Sequence, residues 1–307
     1  MNQPLVSIVV TTKNEELNIR QCLESIYNQT YSNIQLCVID NYSTDKTCQI
    51  VQSLGTKLYY GGPERSAQRN LGLKTKSKGK YGMYIDADMM LTKDLVSRCV
   101  EQMELLPLSY SGIYIPEIIY GQSLFNRVRR FERTFYNGTV IDAVRFFRME
   151  AFLKVGGFDE ELFKRGSGED WDLDKKIRLL GSTFLLDPLT NNKIVIKKST
   201  TKDQLQAKRS YHFIIHDETK LKLIDYLKKK KYYSIGFSGY ISKWGTSDPD
   251  IQKQFGMKYR LFLVFVEKQK WKKLLTNPYY YLLILAIKSL TAISIIKFNK
   301  ISSIRIK

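Results

Sequence analysis

Before residue 90 the chain alternates short β-branched runs with helical segments, and few folds accept that pattern. "LVSIVVTT" (5–12), "IQLCVID" (34–40), "KLYY" (57–60) and "YGMYID" (81–86) read as strands. Between them, residues 15–29 carry Leu17, Cys22, Leu23 and Ile26 at helical spacing. Residues 43–54 open with a Ser/Thr/Asp start signal, and 64–76 read as a third helix. Strands and helices at this interval make βαβ units, hence an α/β fold with a mostly parallel sheet covered by helices on both faces. Such sheets bind ligands beyond the carboxyl ends of their strands. The Thr11–Lys13 turn, Asp40 and Asp86 all fall at such ends. Separate elements therefore deliver polar groups to one rim.

The pattern loosens after residue 110. "GIYIPEIIYG" (112–121) reads as a strand and 123–138 as an arginine-rich amphipathic helix. A strand, a short helix and a Gly-Gly turn follow over 142–160, and a helix over 168–181 opens with Glu169, Asp170, Asp172 and Asp174. Acids at a helix start are favoured by the dipole, which accounts for part of this cluster. Short strands are expected over 183–198, and no internal repeat is visible.

At 307 residues, 43 % hydrophobic and 26 % charged, the chain can bury a large core and is not of disordered composition. Of the net charge of +19, +15 falls in residues 201–307, which hold 22 Lys/Arg against 7 Asp/Glu. That excess suits anionic lipid, phosphorylated substrate or nucleic acid, and charge alone does not choose. No nucleic-acid motif accompanies it, so no nucleic-acid partner is expected. Cys22, Cys37, Cys48 and Cys99 lack metal-site spacing and read as free thiols of a reducing compartment. The opening "MNQPLVSIVVTT" lacks a basic start, so no signal peptide is expected.

The sharpest chemical feature is "YIDADMML" (84–91), where a strand ends in two aspartates. Residues i and i+2 of an extended segment point to one side, so Asp86 and Asp88 can converge on a cation. Hard oxygen ligands favour Mg²⁺ or Mn²⁺, which commonly take one or two carboxylates together with substrate phosphates.

With these residues in view, the chain resembles a family 2 glycosyltransferase of the GT-A fold. The resemblance rests, in order, on "VSIVVTTKNEELNIRQCLESIYNQTY", "CVIDNYSTDKT", "ERSAQRNLGL", "DAD" and "GFDEELFKRGSGEDWDLDKKIRLLG", over roughly residues 5–185. It implies inverting transfer from a nucleotide-sugar donor, UDP-linked by expectation, with Mn²⁺ or Mg²⁺. Thr11 lies on the donor rim. By resemblance Glu15 and Asp40 contact base and ribose, Arg65 and Arg69 lie near the nucleotide or its phosphates, and Asp86 serves ribose or metal. Asp88 is the direct metal ligand. Asp170, with Glu169 beside it, matches the catalytic base. A capping role for Asp40, a helix-charge role for Asp170 and a solvated face for Arg65 and Arg69 stay open. Trp171 reads as a core anchor or an acceptor platform.

Only two histidines occur, His212 and His216, at i and i+4. His216, before Asp217 and Glu218, better matches a family histidine that approaches the metal or diphosphate. The catalytic domain is expected over 1–215, divided into a nucleotide-sugar half (1–105) and an acceptor half (106–215). A basic helical region follows over 216–307. Its lysine run 228–231 reads as a solvated helix face or a lipid-head contact. The apolar stretch 279–296 is near the roughly 20 residues a bilayer span needs, but Lys288 interrupts it. Tyrosines at one end and lysines at both ends suit a helix in the membrane interface, with packing on protein or a true span as alternatives. Arg127, Arg129, Arg130 and Arg133 are candidates for receiving lipid phosphates. The expected enzyme is thus a peripheral transferase at the cytoplasmic face of a membrane, acting on a hydroxyl of a lipid-linked or growing glycan, with a homo-oligomer among its candidate partners. A polyprenyl-phosphate sugar synthase, and a non-catalytic basic module binding nucleic acid or lipid, are the alternatives.

Overall fold

The computed structural model describes residues 3–163, 167–189, 196 and 199–304, with side chains as far as Ile295. The four expected strands are β1 (Val6–Thr12), β2 (Ile34–Asp40), β3 (Lys57–Tyr60) and β4 (Tyr81–Asp86). They pair in parallel in the order β3-β2-β1-β4, and β1, flanked by β2 and β4, is buried along its whole length. The helices between them are α1 (Ile19–Tyr27), α2 (Thr47–Ser53) and α3 (Arg65–Asn70), the last continued by a π-helical stretch to Lys76. One apolar cluster fills the side of the sheet under α1 and another the side under α3, as a sheet covered on both faces requires.

Beyond β4 the chain forms β5 (Met89–Leu91), α4 (Leu95–Leu105), β6 (Tyr110–Tyr114), β7 (Glu117–Tyr120) and α5 (Leu124–Arg133). Next come β8 (Val144–Arg148), α6 (Met149–Lys154), α7 (Glu169–Leu180) and β9 (Ser182–Leu185). The main sheet is completed as β3-β2-β1-β4-β8-β6-β9, antiparallel only where β8 meets β4 and β6. The stretch 112–121 is two strands rather than the one expected. Pro116 cannot donate to a ladder, and there the chain leaves the main sheet for a second one. Most of the strand pattern expected beyond Leu189 lies outside the described residues.

The second sheet is β5-β10-β7, with β10 spanning Ile214–Asp217 after the short α8 (Lys202–Ala207). The expected boundary at 215/216 therefore falls inside a strand hydrogen-bonded on both edges. Three helices follow, α9 (Leu223–Ser234), α10 (Phe237–Trp244) and α11 (Pro249–Phe255), the last two tied to α7. Buried Asp172 of α7 receives Lys243 at 2.9 Å and the Trp244 indole at 2.8 Å, and Arg178 meets Asp250 at 2.7 Å.

The apolar stretch forms a helix, Pro278–Ile304, long and apolar enough to cross a membrane. One face packs on α5 and α9 through buried Ile284 and partly buried Tyr280, Leu283 and Ile287. Lys288 points to the protein, donating to the Tyr136 hydroxyl and the Arg260 carbonyl, both at 2.8 Å, and pairing with Glu132 at 3.2 Å. Tyr279, Leu282, Leu290 and Ile293 on the other side are 45–62 % exposed.

Candidate active site

A cleft of about 470 Å³ opens over the carboxyl ends of β1 and β4, bounded by the start of α7, by β10 and by α9. Its rim begins in the loops after β1 and β2, which are stitched together. Asn14 accepts from Thr44 N and donates its own N–H to Ser43, Glu15 N donates to Thr47, and Glu16 N to Asp45, all at 2.8–3.1 Å. Glu15 lines the cleft, and burial raises its pKa, reinforced by Asp88 and Asp86. Asp40 does not line it. Its carboxylate is fully buried and accepts from Ser43 N at 2.7 Å and Ser43 Oγ at 2.5 Å, the capping geometry left open by the sequence.

The central feature is Arg69, 0 % exposed and held between the Tyr84 and Phe158 rings at 4.5 and 5.2 Å. Nη2 donates to Asp86 Oδ1 at 2.9 Å and Nη1 to Asp170 Oδ1 at 2.8 Å. One guanidinium thus links the end of β4 to the first turn of α7. Tyr84 donates to the same Asp170 oxygen at 3.0 Å, and Thr11, opposite Asp86 in the β1–β4 register, donates to Asp86 at 3.3 Å. The expectation that Arg69 meets donor phosphates is corrected: it lies beneath the cleft, enclosed by aromatics, and orients the two carboxylates above it. Arg65 does line the cleft. It pairs with buried Glu169 at 3.0 Å and lies over the Tyr233 ring at 5.7 Å. Glu169 is consequently occupied as a partner of Arg65 and Arg69, while Asp170 is 26 % exposed toward the cleft. Burial raises the Glu169 pKa against the opposing pull of Arg65. Burial would raise Asp86 too, but Arg69, Arg65 and Arg145 hold it well below the usual carboxylate range.

Asp88 is not in an extended segment with Asp86, as the sequence suggested. Ala87 and Asp88 form the turn between β4 and β5, and the two side chains engage different partners. Asp88 Oδ2 lies 3.2 Å from His216 Nε2, and buried Asp88 Oδ1 has no protein partner. His216 Nδ1 is 2.8 Å from Glu117. Burial would lower the His216 pKa, but Asp88 and Glu117 raise it well above the ordinary value. β10 brings His216 into the cleft by pairing with β5 and β7, and Asp217 N donates to Asp88 O at 2.9 Å. His212 is buried elsewhere, its backbone on Pro188.

Trp171 is anchored by its packing and also borders the cleft. It lines the cleft, stacks on Phe237 at 5.2 Å and donates to Ile141 O at 3.0 Å. Arg130, expected on the acceptor side, is corrected. Its guanidinium donates to the Ile119 and Gly121 carbonyls at 2.6 Å, which ties down the turn between β7 and α5, and it does not line the cleft. Arg133 is engaged by Asp142, and Arg129 makes a two-pronged contact with Glu218 at 2.6–2.7 Å.

The sequence did not single out Glu117, behind His216, or Arg145 and Tyr226 on the cleft, and it offered Lys229 and Lys230 only within the run 228–231. An acid inside "PEIIY" and an arginine inside "AVRFF" break apolar strand runs, and that was the available signal for the first two. Lys229 and Lys230 line the cleft, so the lysine run is not uniformly solvated; Lys228 is exposed.

With this geometry in hand, residues 7–157 match the family model described as glycosyl transferase family 2. The chain is a family 2 glycosyltransferase. A chondroitin synthase of Escherichia coli is 25 % identical over 75 % of this chain and 34 % of that protein. A UDP-glucose:α-D-GlcNAc-diphosphoundecaprenol β-1,3-glucosyltransferase of E. coli is 31 % identical over 39 % of this chain and 55 % of that protein. The family 2 chain thus spans about a third to a half of the length of such relatives. Among solved structures, a mannosyltransferase from Pyrobaculum calidifontis in complex with GDP-Man and Mn²⁺ aligns with TM-score 0.55 at 16 % identity, over 100 % of this chain and 82 % of that one. S. aureus TarS 1–349 in complex with UDP aligns with TM-score 0.51 at 17 % identity, over 83 % and 72 %. Both share the GT-A fold with this glycosyltransferase.

Proposed function

We propose that the enzyme moves a sugar, with inversion, from a UDP-linked donor to a hydroxyl of a glycan acceptor carried on a lipid or a growing chain. The observation that carries this reading is the Arg69 bridge, which holds a candidate base, Asp170, and a candidate metal-site acid, Asp86, on one guanidinium. A partly exposed carboxylate at the cleft wall can take the proton of an attacking hydroxyl. One base acting on the hydroxyl in a single in-line displacement gives inversion, by the logic that distinguishes glycosidase mechanisms. A bare phosphate acceptor would not need that base. The relative whose printed name gives UDP-glucose and a diphosphoundecaprenol-linked acceptor supports the donor and acceptor classes.

The donor set suits a divalent cation. Asp88 offers an unpartnered buried oxygen, and His216 is oriented by Glu117 as metal-ligating imidazoles usually are by a second carboxylate. Among the described residues no group of three His, Cys, Asp or Glu side chains is preassembled as a metal site. That matches a cation completed by substrate phosphates. Asp88 and His216, with Asp86 alongside, would hold Mn²⁺ or Mg²⁺. When bound, the ion supplies charge stabilisation for the leaving diphosphate. Arg69 and Tyr84 orient the Asp170 carboxylate, and Trp171 and Phe237 offer an aromatic wall to a sugar ring.

The exposed apolar stripe of the C-terminal helix, beside basic Lys272 and Lys273, supports contact with an anionic membrane surface. The test of the reading is Asp170→Asn. Transfer should fall about 10²–10⁴-fold, with UDP binding in the presence of Mn²⁺ unchanged. Near-normal transfer would rule out Asp170 as the base.

A further inference from the structure

Four cations and two carboxylates meet where α5, α9 and the C-terminal helix pack together. Arg129 is taken by Glu218, and Lys288 by Glu132. Lys230 and Arg260 remain. Among the described residues no carboxylate lies within ion-pair distance of either, and the buried Nη1 of Arg260 has no hydrogen-bond partner. They are held by aromatic faces instead. Lys230 Nζ and the Arg129 guanidinium lie 5.3 and 4.6 Å from the Tyr226 ring, and Arg260 lies 5.5 Å from the Tyr136 ring, whose hydroxyl joins Lys288 and Glu132. Uncompensated charge in a partly buried setting is costly, and it persists where a ligand supplies the counter-charge. Burial, with Arg129 and Arg260 nearby, pushes the Lys230 ammonium down to about 7, so the group lacks an anion.

We propose that Lys230 and Arg260, backed by Arg129, form the site for a phosphate or diphosphate ester of the acceptor, between the catalytic cleft and the exposed stripe of the C-terminal helix. Lys230, Arg129 and Tyr226 line the cleft. On the other side, α9 and α5 carry the C-terminal helix, with Leu282, Leu290 and Ile293 exposed. An amphiphilic acceptor would place its sugar at Asp170, its anionic ester on Lys230 and Arg260, and its hydrocarbon along that stripe. The acceptor's ester is then held by these cations, and the donor's diphosphate at the acids Asp86 and Asp88. Guanidinium and ammonium groups suit phosphate oxygens, and the aromatic faces keep them in place without neutralising them. This inference rests on the proposed transfer to a glycan hydroxyl, and it names what that glycan is attached to.

Two measurements test it on the full chain. Butyl phosphate is titrated calorimetrically into enzyme saturated with UDP and Mg²⁺, so that the donor site is filled. One site is expected, weakened about tenfold or more by Lys230→Gln and unaffected by Lys228→Gln at the exposed end of the run. Absence of binding, binding insensitive to Lys230→Gln, or loss of binding upon UDP saturation overturns the proposal; the last would assign the cations to the donor. Transfer is then compared between two acceptors with the same sugar, one linked through a phosphodiester to a short alkyl chain and one a neutral alkyl glycoside. The phosphodiester should have a KM at least about tenfold lower, and Lys230→Gln should collapse that ratio. Equal KM values overturn the proposal. Failure of the transferase reading would look different: neither acceptor is glycosylated, while butyl phosphate binding still responds to Lys230→Gln.

Discussion

The two poles of the cleft handle charge in opposite ways. On the acid pole, Asp86, Glu169 and Asp170 share Arg65 and Arg69, with Arg145 close behind Tyr84. On the basic pole, Lys230 and Arg260 outnumber the acids that reach them. The first pole is assembled by the chain alone and should be rigid before any substrate arrives. The second is left incomplete and is finished by what binds there. The difference separates residues that position from residues that receive, and composition shows neither.

That contrast gives opposite signs for removing a cation at each pole. Arg69→Met leaves buried Glu169 and part-buried Asp86 and Asp170 without their shared partner and should cost about 3–5 kcal/mol, read as a fall in urea midpoint with unchanged m-value. A loss under about 1 kcal/mol would break the comparison. The next largest effect concerns the acid behind His216. Glu117→Gln removes the carboxylate that orients His216 and should weaken Mn²⁺ affinity about 10–100-fold, measured as the Mn²⁺ dependence of UDP binding. Unaltered Mn²⁺ dependence would remove Glu117 from the site.

At the basic pole, Lys230→Met should stabilise the protein by about 1 kcal/mol at neutral pH. The sign follows from the lowered Lys230 pKa. Burial disfavours the charged amine, reinforced by Arg129, Arg260 and Lys229 and only partly relieved by Glu132. The wild type therefore loses stability as pH falls from the free-lysine value, about 10.4, to about 7. The gain from Lys230→Met should shrink toward zero as pH rises across that window, by urea unfolding at each pH. The smallest effect lies farthest from the chemistry. Leu282→Ser with Ile293→Ser on the exposed stripe should lower partitioning to anionic vesicles about tenfold and leave urea stability within about 0.5 kcal/mol.

Much of the acid pole was legible in sequence because strand ends are. The runs ending at Thr12, Asp40 and Asp86 could only be parallel strands, and Asp86 and Asp88 stood out as acids where a strand stops. What a side chain does at that end was less legible. Arg69 lies four residues after Arg65 on one helix, yet one faces the cleft and the other is enclosed by Tyr84 and Phe158. Asp40 turned into its own loop. The basic pole was hidden because its members come from residues 129, 230, 260 and 288, which only tertiary packing brings together. Lys288 looked like a flaw in an apolar segment until its partners Glu132 and Tyr136 were in place. Pro116 carried the signal for the break between β6 and β7, but 112–121 read as one strand until the two sheets were seen.

The most direct test of the central claim, a metal-assisted nucleotide site on the acid pole, is calorimetric titration of UDP into the 307-residue chain with and without Mn²⁺, for wild type and Asp88→Asn. The account predicts that Mn²⁺ strengthens UDP binding at least tenfold in wild type and not in Asp88→Asn, roughly the weight of one charge-assisted contact to the ion. Equal UDP affinity with and without Mn²⁺ in wild type, or a Mn²⁺ effect that survives Asp88→Asn, would contradict it.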